Sequence, residues 1–181
     1  MGTPKALLRF QEETFLDRLI RVFGGVCDPV IVVVGQHADQ IRAGVERRAE
    51  VLFAVNPDPE RGMLSSLQCG LALVPATAGA AMFLPVDHPN IEASTIETLA
   101  ARFRAEGAPV TVPTYLGEHG HPVCIARPLI DELLALPAEA KASDVIHRHV
   151  AGASYIEVMD KAVVTDVDDP AAYADLLARH L

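Results

Sequence analysis

Apolar residues in this chain fall into short unbroken runs separated by amphipathic stretches. Pro29-Val30-Ile31-Val32-Val33-Val34-Gly35 and Ala80-Ala81-Met82-Phe83-Leu84-Pro85-Val86 have no polar alternation, the mark of parallel strands buried on both faces. Val51–Val55 is a further strand. Gly2–Leu8 has no periodicity and reads as a loop running into a short apolar segment. Thr14 is placed to cap a helix over Phe15, Leu16, Leu19, Ile20, Val22 and Phe23, which Gly24-Gly25 ends. Ile41 and Val45 stand at helical spacing within Ala38–Arg48, predicting a solvent-facing crossover helix. Further helices are expected over Ser65–Leu73, Ser94–Glu106, Pro128–Leu136 and Ser143–Val150. Short strands are expected over Pro109–Pro113, Ser154–Val158 and Ala162–Val164, and a glycine turn at Gly117–Gly120 leads into another. Asp169-Pro170 starts a terminal helix, since proline favours the first turn. Alternating strands and helices predict one doubly wound, three-layer α/β domain over residues 1–181, Rossmann-like, with a mostly parallel sheet and an antiparallel strand from the hairpin-like middle.

Composition narrows the partners. The net charge of −9 over 181 residues argues against a nucleic-acid backbone or an anionic membrane, while local dipoles or a metal still permit a small anionic ligand. The three cysteines, Cys27, Cys69 and Cys124, form no C-x-x-C pair, which is expected of a reducing, cytoplasmic setting without structural zinc. No apolar run approaches the roughly 20 residues a membrane span needs.

Chemistry concentrates where apolar runs stop. The run ending at Val86 delivers Asp87, and Pro89 bars the strand from continuing. Ligands of open α/β sheets gather at this carboxyl-terminal rim; the alternative role for Asp87 is to cap a following helix. A second acidic cluster, Asp166-Val167-Asp168-Asp169-Pro170, follows another apolar run. Asp169 suits a helix cap, leaving Asp166 and Asp168 on one face of an extended segment. Two such strand-end carboxylates can hold Mg²⁺ against phosphates, because magnesium keeps its other positions for water and substrate oxygens. Lys5 is one early cation. Gly62-Met63-Leu64-Ser65-Ser66-Leu67 opens a helix whose free N–H groups and hydroxyls could hold phosphate or a base edge, or Ser65 could be the cap. His119-Gly120-His121 has the spacing of a metal pair, but the glycine predicts a turn and no third ligand is near.

In order along the chain stand Met1-Gly2-x-Pro4-Lys5-Ala6-Leu7-Leu8, then Asn56-Pro57 with Gly62-Met63-x-Ser65-Ser66-Leu67-x-x-Gly70-Leu71. Pro85-Val86-Asp87-x-Pro89, Gly120-His121-Pro122-Val123 and Asp166-Val167-Asp168-x-Pro170 complete the set. The set resembles the MobA-like nucleotidyltransferases, especially their molybdenum cofactor cytidylyltransferase branch. The resemblance implies a GT-A-like Rossmann fold and Mg²⁺-dependent transfer of a nucleotide from an NTP, CTP ahead of GTP, to a phosphorylated acceptor with release of pyrophosphate. A molybdopterin-type cofactor is the implied acceptor, and a molybdenum enzyme an implied partner. Lys5 then matches the lysine that steadies the triphosphate, with Gly2 beside it in the nucleotide segment. Gly62 and Ser66 match the segment that reads the base. Asp87 and Asp168 match the metal-holding carboxylates, with Asp166 the alternative to Asp168. Gly120 and His121 lie in the acceptor-side segment.

The chain departs from that family at several positions. It opens at the final Met-Gly of the family's glycine-rich loop, after the point where the family's first strand would stand, which predicts an unpaired central sheet edge. His88 stands where Gln is frequent in the cytidylyltransferase branch, and Asp169 where Thr is usual. Competing expectations are a non-catalytic nucleotide- or pterin-binding maturation factor, and a nucleotidyltransferase acting on a sugar phosphate or phospholactate. A nicotinamide-dependent dehydrogenase is disfavoured, since no G-x-G-x-x-G follows an early strand.

Overall fold

The structure, a computed structural model, describes residues 2–137 and 139–179. The chain enters through a 3-10 turn over Lys5–Leu7 and a small antiparallel ribbon, β1 (Arg9–Phe10) with β2 (Glu13–Thr14). α1 (Phe15–Gly24) is capped as its spacing predicts. The Asp17 amide donates to Thr14 Oγ1 at 3.0 Å, and the Thr14 hydroxyl donates to the Asp17 carboxylate at 2.5 Å. Asp17 is buried and also accepts from the Arg47 amide at 2.9 Å, so the cap ties α1 to a distant loop.

A right-handed α/β pattern requires a helix between parallel strands. Accordingly β3 (Val30–Val34) pairs in parallel with β4 (Val51–Val55) across α2 (Ala38–Gly44). α2 stops short of Arg48 because its last turn is wedged: a Cβ on Gly44 would stand 2.9 Å from Leu7 Cδ2, and Val45 is already extended and fully buried. α3 (Met63–Leu71) begins two residues before Ser65. There follow β5 (Ala80–Phe83), α4 (Ala93–Glu106), β6 (Val110–Tyr115), β7 (Glu118–His119), β8 (Val123–Ala126), α5 (Arg127–Leu134), α6 (Ala142–Arg148), β9 (Ser154–Glu157) and α7 (Pro170–Ala178).

The hydrogen-bonded order is β5-β8-β6, with β9 parallel and β7 antiparallel to β6. The antiparallel strand expected from the hairpin-like middle is β8, which sits between β5 and β6, so the pairings are mixed. Helices cover both faces. Met82 and Leu84 pack with Leu19, Val22 and Phe23 of α1 and Ile96 of α4. Ala81 and Phe83 pack with Leu64 and Leu71 of α3 and with Ile130 and Leu133 of α5. Alternation along one strand thus separates two helical layers.

Two expectations are corrected. Ala162–Val164 is not a strand but part of a 3-10 turn over Lys161–Val164, because the Asp160 carboxylate accepts from the Ala162 amide at 2.9 Å and coils the backbone. The run from Ala80 to Val86 is a strand only as far as Phe83, and it is not central in a continuous sheet. Among the described residues β5 pairs with β8 alone and β3 with β4 alone, and the four residues of β5 are all half-buried instead of sealed.

Candidate active site

Beyond β5 the chain runs through Leu84-Pro85-Val86 to Asp87. The Val167 amide donates to the Asp87 carbonyl at 2.8 Å, which brings the late acidic loop to this rim. Val167 is buried against Phe10, Phe15 and Leu176, while Asp166 and Asp168 on either side of it are exposed. The extended alternation expected of this loop is therefore present. Asp169 caps α7, accepting from the Ala172 amide at 2.8 Å.

Lys5 Nζ donates to Asp168 Oδ1 at 2.6 Å, joining residues 163 apart in the chain. The Lys5 hydrogen bond and charge hold the Asp168 carboxyl below its usual range, and a hydrogen bond to Asp166 and the charge of His88 act in the same direction. Asp87 Oδ1 is buried without a hydrogen-bond partner and lies 3.8 Å from His88 Nε2. Asp87 does not cap α4: the α4 start is bonded instead by Asp160. His88 is buried, with Nδ1 3.1 Å from the Ala162 carbonyl. A carbonyl only accepts, so Nδ1 carries the proton in this contact.

The His121 ring centroid is 5.3 Å from that of His88. Burial pushes the His121 pKa down, the charge of His88 adds to this, and Asp87 opposes it. Gly120 sets this position. A Cβ there would stand 2.3 Å from the Val163 carbonyl oxygen, and the His121 amide donates to that same oxygen at 2.8 Å. His119 points elsewhere, stacking on Tyr155 at 4.4 Å between centroids, so the two histidines share no partner.

The Asn56–Ser66 segment begins where β4 ends, the Asn56 amide donating to the Val34 carbonyl at 2.7 Å. Asn56 is buried, and its Nδ2 donates to Ser65 Oγ and Ser66 Oγ, each at 2.9 Å, while its Oδ1 accepts from the Asp58 amide at 3.0 Å. Ser65 is not the helix cap: its hydroxyl donates to the Gly62 carbonyl at 2.8 Å. Gly62 precedes α3 at φ 88°, a left-handed conformation that favours glycine, and no side chain caps the helix. Ser66 lines the same cavity as Met63 and His121. Gly2 is exposed, with open space where a Cβ would stand. Met1 lies outside the described residues.

Sequence reasoning missed Asp160. Buried, it accepts from the Glu92 amide at 2.9 Å, the Thr95 hydroxyl at 2.8 Å and the Ala162 amide at 2.9 Å. It thereby locks α4 to the turn that offers the Ala162 carbonyl to His88. The available signal was an acidic residue just ahead of the apolar stretch Ala162-Val163-Val164.

The described residues hold no cluster of three or more metal-holding side chains, but two hard oxygen donors stand near this rim. Asp87 presents an orphaned carboxylate oxygen, Asp168 an exposed carboxylate on the adjoining loop, and magnesium needs only one or two such ligands from protein.

Residues 1–158 match the MobA-like NTP transferase domain, which leaves the Asp166–Asp168 loop beyond the matched part. The molybdenum cofactor cytidylyltransferase of Escherichia coli (strain K12) is 23% identical over 171 residues, covering 94% of this chain and 85% of the relative. Among solved structures, the Mycobacterium sp. strain JC1 homologue of Mycobacterium tuberculosis Rv0371c superposes with a TM-score of 0.83 at 30% identity, covering 99% of this chain and 89% of that one. Rv0371c from Mycobacterium tuberculosis H37Rv, in complex with manganese, superposes with a TM-score of 0.78 at 26% identity, covering 97% and 91%. No helix among the described residues is long and apolar enough to cross a membrane. With five motifs in register, a rim built from both chain ends and a family match over most of its length, the chain belongs to the MobA-like NTP transferases and is a nucleotidyltransferase.

Proposed function

We propose that this enzyme transfers a nucleotide from an NTP, CTP in preference to GTP, to a phosphorylated small-molecule acceptor of the molybdopterin type, releasing pyrophosphate. The observation that carries the reading is the Val167 amide on the Asp87 carbonyl, which sets the loop of Asp168, paired with Lys5, beside Asp87 and its unpartnered carboxylate oxygen. The choice of CTP and pterin rests on the cytidylyltransferase relative. Asp87 and Asp168 would hold Mg²⁺, with Asp166 the alternative second ligand. The ion would supply charge neutralisation at the phosphates.

The chain's own groups do the rest. An acceptor phosphate oxygen attacks the α-phosphorus, the bond from that phosphorus to the bridging oxygen breaks, and pyrophosphate leaves. Such an exchange needs positioning and charge compensation more than a covalent nucleophile. Lys5 places a cation against the triphosphate, beside Gly2. The uncapped amides of α3 after Gly62, with Ser66 held by Asn56, offer donors to the nucleotide. Gly120 lets the backbone approach closely enough to aim His121 at the acceptor.

The test is pyrophosphate release from CTP and from GTP, each with Mg²⁺ and either molybdopterin or a sugar phosphate as acceptor. Release requiring CTP, Mg²⁺ and the pterin supports the reading. Release with the sugar phosphate alone overturns the acceptor assignment, and release that persists with chelator present overturns the metal assignment.

A further inference from the structure

The segment that carries Asp87 is tied down at three points. The Val167 amide donates to the Asp87 carbonyl at 2.8 Å, and Asp160 accepts from the Glu92 amide at 2.9 Å. Between them, Arg18 Nε of α1 donates to the Pro89 carbonyl at 2.8 Å, across 71 residues of chain. Pro89 is buried and has no N–H of its own, so only its carbonyl lets its backbone be held by a hydrogen bond. The Arg18 guanidinium also stands over the Phe10 ring, 5.2 Å from its centroid. Phe10 is 1% exposed and shares a buried cluster with Val167, the residue between Asp166 and Asp168. Arg18 thus reaches the Asp87 segment directly and the Asp166–Asp168 loop through the Phe10 cluster, while Val167 ties the two together.

An arginine placed for surface charge alone would face solvent or pair with a carboxylate. Arg18 does neither: it is half-buried, and it enters no ion pair among the described residues. Arg21, one turn along α1, has that ordinary role and pairs with Glu13 at 2.7 Å. Burial pulls the Arg18 pKa below its usual value and the charge of Arg21 adds to this, while the charges of Glu13 and Asp160 oppose it. A guanidinium stays charged all the same. It can donate in its plane to a carbonyl and lay its face on an aromatic ring at once, which the point charge of a lysine cannot reproduce. We propose that Arg18 is a positioning residue for nucleotidyl transfer: it holds the Asp87 segment and the Asp166–Asp168 loop in register, so that their carboxylates meet the triphosphate at a fixed spacing. The assignment of those carboxylates to a metal rests on the proposed function, whereas the register that Arg18 sets can be read without it.

The experiment compares the unaltered chain with Arg18→Met, Arg18→Lys and Arg21→Gln. Arg18→Met keeps an apolar stem over Phe10 and loses both the donor and the charge, while Arg21→Gln removes an equal charge one turn along the helix. Readouts are exchange of the Val167 amide, Mn²⁺ affinity by electron paramagnetic resonance, and kcat and KM for pyrophosphate release with the better of CTP and GTP. In Arg18→Met the Val167 amide should exchange at least about tenfold faster, with the β3–β4 ladder unchanged. Its kcat and Mn²⁺ affinity should fall about 10–100-fold, the usual loss when a group that orients a ligand is removed, with KM little altered. Arg18→Lys, which can still donate to the Pro89 carbonyl, should restore part of both, and Arg21→Gln should match the unaltered chain. An unchanged Val167 amide in Arg18→Met overturns the proposal, as does faster exchange with kcat intact. Faster exchange throughout, the β3–β4 ladder included, overturns it as a loss of general stability, and an equal loss in Arg21→Gln overturns it as an effect of charge alone. If the unaltered chain takes up no Mn²⁺, the metal reading fails by itself, and the Val167 amide with kcat still decides the role of Arg18.

Discussion

A carboxylate oxygen buried without a hydrogen-bond partner, as Asp87 Oδ1 is, costs on the order of 1–3 kcal/mol or more, so its retention calls for a use. Asp87→Asn keeps the shape and removes the charge. We expect Mg²⁺-dependent pyrophosphate release to fall at least about 100-fold while the melting temperature stays level or rises. Activity assays and circular dichroism melts check this together, and undiminished turnover would remove Asp87 from the site. Gly120 gives a second test at this scale. Gly120→Ala sets a methyl against the Val163 carbonyl, an overpacking clash expected to cost about 1–3 kcal/mol in a urea titration and to disturb His121. The rim carboxylates were legible in the sequence because each ends an apolar run and the late pair straddles Val167. Asp160 was not, because its partners at Glu92 and Thr95 are local to another helix and only folding brings them within reach.

At the level of elements, the periodicity of α1, α3, α4 and α5 was enough to place them, since amphipathic spacing records which face is buried. Where the sequence misled, a tertiary contact overrode local preference: Leu7 closes on Gly44 and ends α2, and Asp160 coils the segment that valines would otherwise extend. Asp160→Ala removes the acceptor for three donors at once. It should lower stability by about 3 kcal/mol and, by releasing the turn that offers Ala162 to His88, weaken catalysis as well. Thr14→Ala should cost about 1 kcal/mol without affecting the rim, which separates a cap from a positioning residue. Urea midpoints compared with kcat for the two variants decide it.

Across the whole molecule, among the described residues, three glutamates join Asp168 in setting the response to acid. Glu13 is held below its ordinary value of 4.5 mainly by its hydrogen bond to Arg21, against the cost of its partial burial, with the charges of Arg21, Arg47 and Arg18 adding to the lowering. Glu132 is lowered by Arg148 and His149, and Glu157 by the Thr114 hydroxyl and the Leu116 amide. Each binds fewer protons folded than unfolded, so each adds stability above about pH 4.5 that is lost as the pH falls through its folded value. Unfolding free energy should therefore decline from about pH 5 downward, with a shallower decline in Glu13→Gln; an identical slope would exclude the Glu13 contribution. The α/β class was readable because strands and helices alternate. The contact of Lys5 with Asp168 was not, since no local pattern encodes a meeting of the two ends.

That meeting has a consequence for synthesis. The cation comes from residue 5 and its carboxylate partner from residue 168 of 181. On the ribosome, the early segments emerge and pack long before the late loop exists. If Asp168 is a metal ligand as proposed, a nascent chain could gather the Gly62–Ser66 segment and Asp87 yet be unable to consume nucleotide. Competence would arrive only once residues 166–168 have emerged and Val167 reaches the Asp87 carbonyl.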